Sequence, residues 1–322
     1  MSTNTCPIDP ALAELERALD PIEMSRRLAP WRVISVEILK HKPGRRCSLA
    51  YTLEGTSGIT RVFAKIFASE RGASIYETLG LISEAAPAGI LVPRPIAYVP
   101  DLRLLVCEYL DGVGLAASLY LGESGEPARR MGSALAALHG CRALPARGWS
   151  AGHELENLSR WAVHLGTRAE RARLSSLRQG LQTWALRLPA LPPENETLVH
   201  RDFYAEQILD CRGITAIVDL DDARRGDPAV DLGNFLAHLT LRSLQFAETR
   251  HGCTSSRPIF IEAYRRSARG EGGTGSLLER AAFYEAASLA RLSAVYAGRA
   301  RWSETLPAIL LDACEALVPK ED

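Results

Sequence analysis

Apolar and polar residues alternate through the first third of the chain. Trp31–Lys40 (WRVISVEILK), Cys47–Leu53 and Arg61–Phe67 (RVFAKIF) each carry the two-residue period of a strand with one buried face. The turns between them, His41–Arg46 (HKPGRR) and Gly55–Gly58 (GTSG), hold the glycine and proline that tight turns use. Ser69–Ser83 reads as a helix closed by the Pro- and Gly-rich APAGILVPRP, and Pro95–Val99 and Leu102–Glu108 read as two further strands. The pattern predicts a five-stranded antiparallel meander with one inserted helix from Trp31 to Glu108, preceded by a helical extension over residues 9–29.

After Leu110-Asp111-Gly112 the period changes. Glu126–His139 has Pro at an early helical position and a continuous Ala/Leu face. Leu158–Arg187, Leu232–Leu241, Arg257–Ala268, Ser276–Ala297 and Ser303–Leu317 all repeat at helical spacing. The chain is therefore expected to form a β-rich N-terminal lobe, residues 1–110, and a helical C-terminal lobe, residues 111–322. Ligands commonly bind where such lobes adjoin.

Composition changes this picture little. Hydrophobic residues make up 47% and charged residues 24% of the 322, which is ordinary for a globular protein with a sizeable core. Lys plus Arg equals Asp plus Glu at 38 each, so no global field favours nucleic acid or an anionic membrane. Seven scattered cysteines without a CxxC pair argue for reduced thiols in a cytoplasm and against a disulfide framework or a zinc site. The start, MSTNTCPIDPALAELERALD, has no basic or apolar signal region, and no run approaches eighteen apolar residues, so neither secretion nor a membrane span is expected. Nothing in the pattern speaks to oligomeric state.

The chemistry is concentrated in residues 198–235, LVHRDFYAEQILDCRGITAIVDLDDARRGDPAVDLGNF. His200-Arg201-Asp202 is followed five residues later by Gln207, the apolar run Ile214–Val218 delivers Asp219, and Asp231 lies twelve residues beyond. A loop acid, an amide oxygen and a second acid at a strand end are the groups that phosphoryl transfer from Mg-ATP requires. One carboxylate serves the attacking hydroxyl and two oxygens hold the metal. HRDFYAEQIL resembles the HxDxxxxNxL catalytic loop of the aminoglycoside phosphotransferase and choline kinase-like superfamily. VDLDDA with GDPAVDL is similar to that superfamily's metal-binding strand and the segment after it. The resemblance implies an α+β, bilobal protein-kinase-like fold. It also implies an ATP- and Mg²⁺-dependent transfer to the hydroxyl of a small molecule.

Residue by residue, the resemblance implies that Asp202 orients the acceptor hydroxyl and takes its proton, and that Gln207 and Asp219 hold Mg²⁺. Gln207 stands where the family usually has Asn; it is one methylene longer and keeps the amide oxygen. A plain turn or helix cap is the alternative for Asp202. His200 is expected as a packed imidazole and Asp231 as an N-cap that also braces the loop. Asp221 and Asp222 follow Asp219 closely; if the strand runs through Asp222, alternation puts Asp221 on the side of Asp219 as an auxiliary metal or substrate ligand, and otherwise a solvated carboxylate is expected there. In the N-terminal lobe, Lys65 in VFAKIF resembles the VAIK lysine that grips the α/β-phosphates. Glu77 is its expected partner, with Glu70 and Glu84 as rivals. Arg45 or Arg46 would supply charge where a Gly-rich phosphate loop normally lies. Glu108–Leu110 ends the last strand, where the family's backbone receives adenine. Gly270–Gly275 (GEGGTG) satisfies GxGxxG but follows a helix, so it reads as a flexible interhelical loop.

Two other functions are weighed. A protein kinase is disfavoured because eleven residues between Asp219 and Asp231, with no APE after them, leave no room for an activation segment. A regulatory, nucleotide-binding pseudokinase is favoured by Gln207 and the thin Gly loop and opposed by the joint presence of Lys65, Asp202 and Asp219. The resemblance admits acceptors from aminoglycosides and other antibiotics to choline, alcohols and sugars. Arg160, Arg168, Arg171, Arg173, Arg178 and Arg187 weigh against a polycation and toward a neutral or anionic hydroxyl compound.

Overall fold

The computed structural model describes residues 8–268 and 274–320. They fall into two compact units. One runs to Ala85 and takes in Val92–Asp111; the other comprises Ala86–Leu91 and the chain from Gly112 onward.

The first unit is built on a five-stranded sheet of Arg32–Lys42, Arg46–Gly55, Gly58–Phe67, Pro95–Val99 and Leu104–Glu108. All neighbours are antiparallel, but the order is first, second, third, fifth, fourth, which corrects the simple meander. The helix Arg71–Glu84 intervenes before the fourth strand, which takes the edge. That strand opens on Pro95, which has no N–H to give to a second neighbour, whereas Leu104–Cys107 is fully buried and suits the interior position. Alternation assigns the faces: Cys47, Leu49, Tyr51 and Leu53, with Val62, Ala64 and Ile66, pack on Leu12, Leu15, Met24 and Leu28 of the N-terminal helical extension. The Tyr51 hydroxyl donates to the Ala18 carbonyl at 2.7 Å and ties the two layers. Phe63, Lys65 and Phe67 occupy the opposite face.

The second unit is mainly helical. Glu126–His139 packs on Arg250–Ser267, and Ala229–Gln245 packs on Thr274–Ala297. The expected Leu158–Arg187 region resolves into Ala151–Trp161 and Arg168–Arg187, the second begun by a capping box of Thr167 and Glu170. Two small sheets lie among the helices. Thr197–Val199 pairs with Arg224–Gly226, and Ile208–Cys211 pairs with Ile214–Ile217. The loop between Val199 and Ile208 thus springs from one sheet and enters the other. Of GEGGTG, residues 270–273 lie outside the described residues, and Thr274 begins a helix. No helix among the described residues is long and apolar enough to cross a membrane.

Gly233 sets the approach of the two central helices. A Cβ there would lie 2.6 Å from Ala281 O, Glu285 N and Tyr284 Cβ. Gly233→Ala must push Ala229–Gln245 off Thr274–Ala297, a strain that costs about 1–3 kcal/mol. A lower urea midpoint at unchanged m-value is expected; an unmoved midpoint would show that the helices separate freely.

Candidate active site

Three successive residues begin the site. His200 is fully buried; its Nε2–H donates to Val218 O at 2.9 Å and its Nδ1 accepts the Asp202 amide at 3.3 Å. The imidazole is therefore a fixed spacer between the loop and the strand that leads to Asp219. Arg201 adopts a left-handed backbone with φ 68°, which costs a non-glycine residue free energy unless its surroundings enforce it. Its guanidinium lies 3.3 Å from the Trp149 ring centroid, and burial draws it down to about 10. Asp202 follows, anchored through its neighbour: Phe203 is buried against Phe235 and Phe260, and its carbonyl accepts from Asn234 Nδ2 at 3.0 Å.

What enforces the backbone is Asp231. Its carboxylate accepts the His200 amide and the Arg201 amide, each at 2.6 Å, and lies 3.1 Å from His139 Nε2. The helix starts at Ala229, so Asp231 sits inside its first turn and is not the expected N-cap. Asp227 binds the Ala229 amide at 2.9 Å and does that local work.

The second acid is brought to the loop by backbone pairing. Gln207 N–H donates to Tyr204 O at 2.9 Å, and Gln207 O accepts from Val218 N at 3.0 Å. This bridge places the Gln207 amide nitrogen 3.5 Å from Asp219 Oδ2. The strand ends at Ile217, Asp219 turns left-handed at φ 61°, ψ 44°, and Leu220–Asp222 form a single 3₁₀ turn. The strand does not continue to Asp222, so alternation does not govern Asp221. That residue is buried, which corrects the solvated reading.

Burial pushes the Asp202 carboxyl above its ordinary range, with the charges of Asp219 and Asp222 adding to the effect and Arg291 and His200 opposing it. Gln207 and Asp219 fit a divalent cation. Two cis oxygens of an octahedral Mg²⁺ lie about 3 Å apart, and such ions usually take few protein ligands beside water and phosphate. With its amide oxygen turned toward Asp219, Gln207 meets that spacing. Among the described residues, no group of three or more His, Cys, Asp or Glu side chains offers an alternative metal cage.

In the first unit, Lys65 is buried on the sheet face away from the helical extension, with Nζ 5.7 Å and 5.9 Å from the Phe63 and Phe67 ring centroids. It is not the solvated lysine of an amphipathic strand. Glu77 is exposed on the helix Arg71–Glu84, whose buried residues are Gly72, Ile75, Leu79 and Ile82. Glu84 is also exposed, and Glu70 pairs with Arg103 at 3.1 Å. Arg46 begins the second strand opposite Lys42, and the turn before it is pinned by Asp9, which accepts from Gly44 N at 2.9 Å. Glu108 is exposed, and its amide donates to Arg94 O at 2.8 Å; Leu110 is half-buried. Sequence reasoning missed Trp149, placed by the pairing of its strand with Gly226, and Glu154, Asn234 and Arg291, placed by helix packing.

Comparison with known proteins adds independent findings. The model of the phosphotransferase enzyme family, APH, matches residues 47–284. No curated protein matches the chain in sequence. Among solved structures, choline kinase LicA from Streptococcus pneumoniae is similar with a TM-score of 0.63 at 14% identity, over 95% of this chain and 99% of that one. Amicoumacin kinase hAmiN, in complex with AMP-PNP, Ca²⁺ and Ami, reaches 0.65 at 15% identity, over 96% and 98%. A spectinomycin phosphotransferase in complex with ADP and spectinomycin reaches 0.59 at 10% identity, over 94% and 95%. At such identities the likeness is one of fold.

Asp231→Asn tests the bracket under the loop. An amide cannot accept both backbone N–H groups as a carboxylate does, so a loss of about 1.5–3 kcal/mol is expected. Amide exchange should locate the loss at His200 and Arg201; protection unchanged at both would refute the bracing role.

Proposed function

The chain belongs to the phosphotransferase enzyme family, and we propose that it moves the γ-phosphoryl group of ATP, with Mg²⁺, to a hydroxyl of a small molecule. One observation carries the reading: a half-buried loop, left-handed at Arg201, presents Asp202 while its other end sets Gln207 beside Asp219. In this reading Asp202 orients the acceptor hydroxyl and receives its proton as the oxygen attacks in line. Gln207 and Asp219 hold the metal, which when bound neutralises phosphate charge. Lys65 grips the α- and β-phosphates and Glu77 is its partner, while Arg46 supplies further charge and the backbone of Glu108–Leu110 receives adenine. Residues 1–110 are the nucleotide-binding part and 111–322 carry catalysis and the acceptor. The complexes of the spectinomycin and amicoumacin enzymes with nucleotides are consistent with this chemistry in proteins of the same fold.

Asp202→Ala is expected to lower kcat by on the order of 10²–10⁴-fold with ATP binding retained; wild-type-like turnover would remove Asp202 from the role. Asp219→Ala should abolish Mg²⁺-dependent nucleotide binding in a metal titration. ATP binding without turnover of any acceptor by the wild type would favour the pseudokinase.

The raised pKa of Asp202 adds a pH test. The folded chain binds this proton more readily than the unfolded chain, so the ionised carboxylate costs stability at neutral pH. That cost fades as pH falls through the raised value toward the ordinary carboxylate range. Asp202→Asn should therefore be inactive yet more stable than wild type at neutral pH, and the gain should vanish in acid. Equal thermal midpoints across that range would contradict the burial assigned to Asp202.

A further inference from the structure

We propose that the acceptor is anionic: a hydroxyl compound carrying a carboxylate that pairs with Arg291. The inference rests on the phosphotransferase reading and names the substrate class of that same site.

Arg291 stands on the helix Thr274–Ala297, within the unit that carries Asp202. Its Nη2 donates to Asn234 Oδ1 at 2.8 Å, and Asn234 Nδ2 donates in turn to the carbonyl of Phe203, the residue after Asp202. Its Nε lies 3.6 Å from Glu154 Oε1. Two tethers thus fix the guanidinium two hydrogen bonds from the loop, and Nη1 takes no partner among the described residues. An arginine held in this way loses little freedom when it binds a planar anion. The side chain keeps 15% of its surface, enough for a ligand to reach and little enough to strengthen a charge-assisted bond.

The glutamates close to Arg291 and the loop are already engaged. Glu154 is engaged by Arg291 and by Trp149 Nε1 at 3.2 Å, and Glu206 by Arg242 and by the Tyr120 hydroxyl at 2.8 Å. Neither glutamate is left to receive an ammonium group. His238, stacked on Tyr204 with ring centroids 4.3 Å apart, is held neutral, down to about 3, by burial and then by the charges of Arg291, Arg242 and Arg299. The charges felt at His238 are those of arginines, whereas Asp202 itself is acted on by Arg291 and, in the other direction, by Asp219 and Asp222. A single carboxylate is also less repelled than a dianionic phosphate by Asp202, Asp219 and Asp222.

The test uses two sets of matched alcohols: a hexose, its uronate and its amino sugar; and butane-1,4-diol, 4-hydroxybutyrate and 4-aminobutan-1-ol. ADP release with Mg-ATP is measured for the wild type, Arg291→Gln and Arg291→Lys. In any set that turns over, the carboxylate should have the lowest KM and the amine the highest. Arg291→Gln should raise the carboxylate KM by about tenfold or more, the worth of one charge-assisted bond, with KM for ATP unmoved. Arg291→Lys, which keeps the charge, should recover part of the loss. Preference for the amine or the neutral compound, or a preference that survives Arg291→Gln, overturns the inference. So does a change in KM for ATP in place of the acceptor, which would make Arg291 a nucleotide residue. Turnover of cationic alcohols alone, or of none of the six, overturns this inference and leaves the phosphotransferase reading standing, whereas failure to bind Mg-ATP removes both.

Discussion

The Asp231 carboxylate is the constraint on which the site depends. It is fully buried, and a buried charge is costly unless its lone pairs are satisfied. Here they are met by two backbone N–H groups of the loop and by His139, whose other nitrogen lies 2.8 Å from the Tyr264 hydroxyl. One acid on Ala229–Gln245 thereby joins the loop to Glu126–His139 and to Arg250–Ser267. Two bonds to successive amides fix the direction of the chain, which is why Arg201 can persist at φ 68° and why the next residue, Asp202, has a defined position. The left-handed conformation is a cost of order 1–3 kcal/mol that this bracket offsets.

The same logic sets Asp202 apart from Asp231. Asp231 is buried and Asp202 half-buried, yet the described carboxylate hydrogen bonds go to Asp231, while Asp202 is pushed up by desolvation and opposed by the charge of Arg291. The loop places the two carboxylates within one small volume, and the bonds made by Asp231 support the left-handed backbone that leads to Asp202.

Much of the fold was legible because it is local. Strand alternation and helical period placed the sheet residues, the Glu126–His139 helix and the change of character after Gly112. Strand order was not legible, since the choice of neighbour for the third strand depends on where the helix Arg71–Glu84 sends the chain. That His200, Asp202, Gln207 and Asp219 come near one another was legible because they share one short loop and the strand paired to it. Asp221 was misjudged because the strand ends at Ile217 and the left-handed turn at Asp219 breaks the alternation. Trp149, Asn234 and Arg291 carried no local signal. They reach the loop from distant segments: strand pairing of Gly148–Trp149 with Arg225 and Gly226 brings the tryptophan, and helix packing such as the Gly233 crossing brings the other two.

Gln207 shows how the local and the distant meet. Its extra methylene would displace the amide if the backbone were placed as for Asn, but the backbone itself is set by bonds to Tyr204 O and from Val218 N. Those bonds belong to the strand junction and do not change with side-chain length. The longer side chain must absorb the difference in its own torsions, which for a straight chain is a matter of rotamer choice and not of strain. That the amide still ends 3.5 Å from Asp219 shows that it has done so. The departure from Asn thus leaves the side-chain amide beside Asp219.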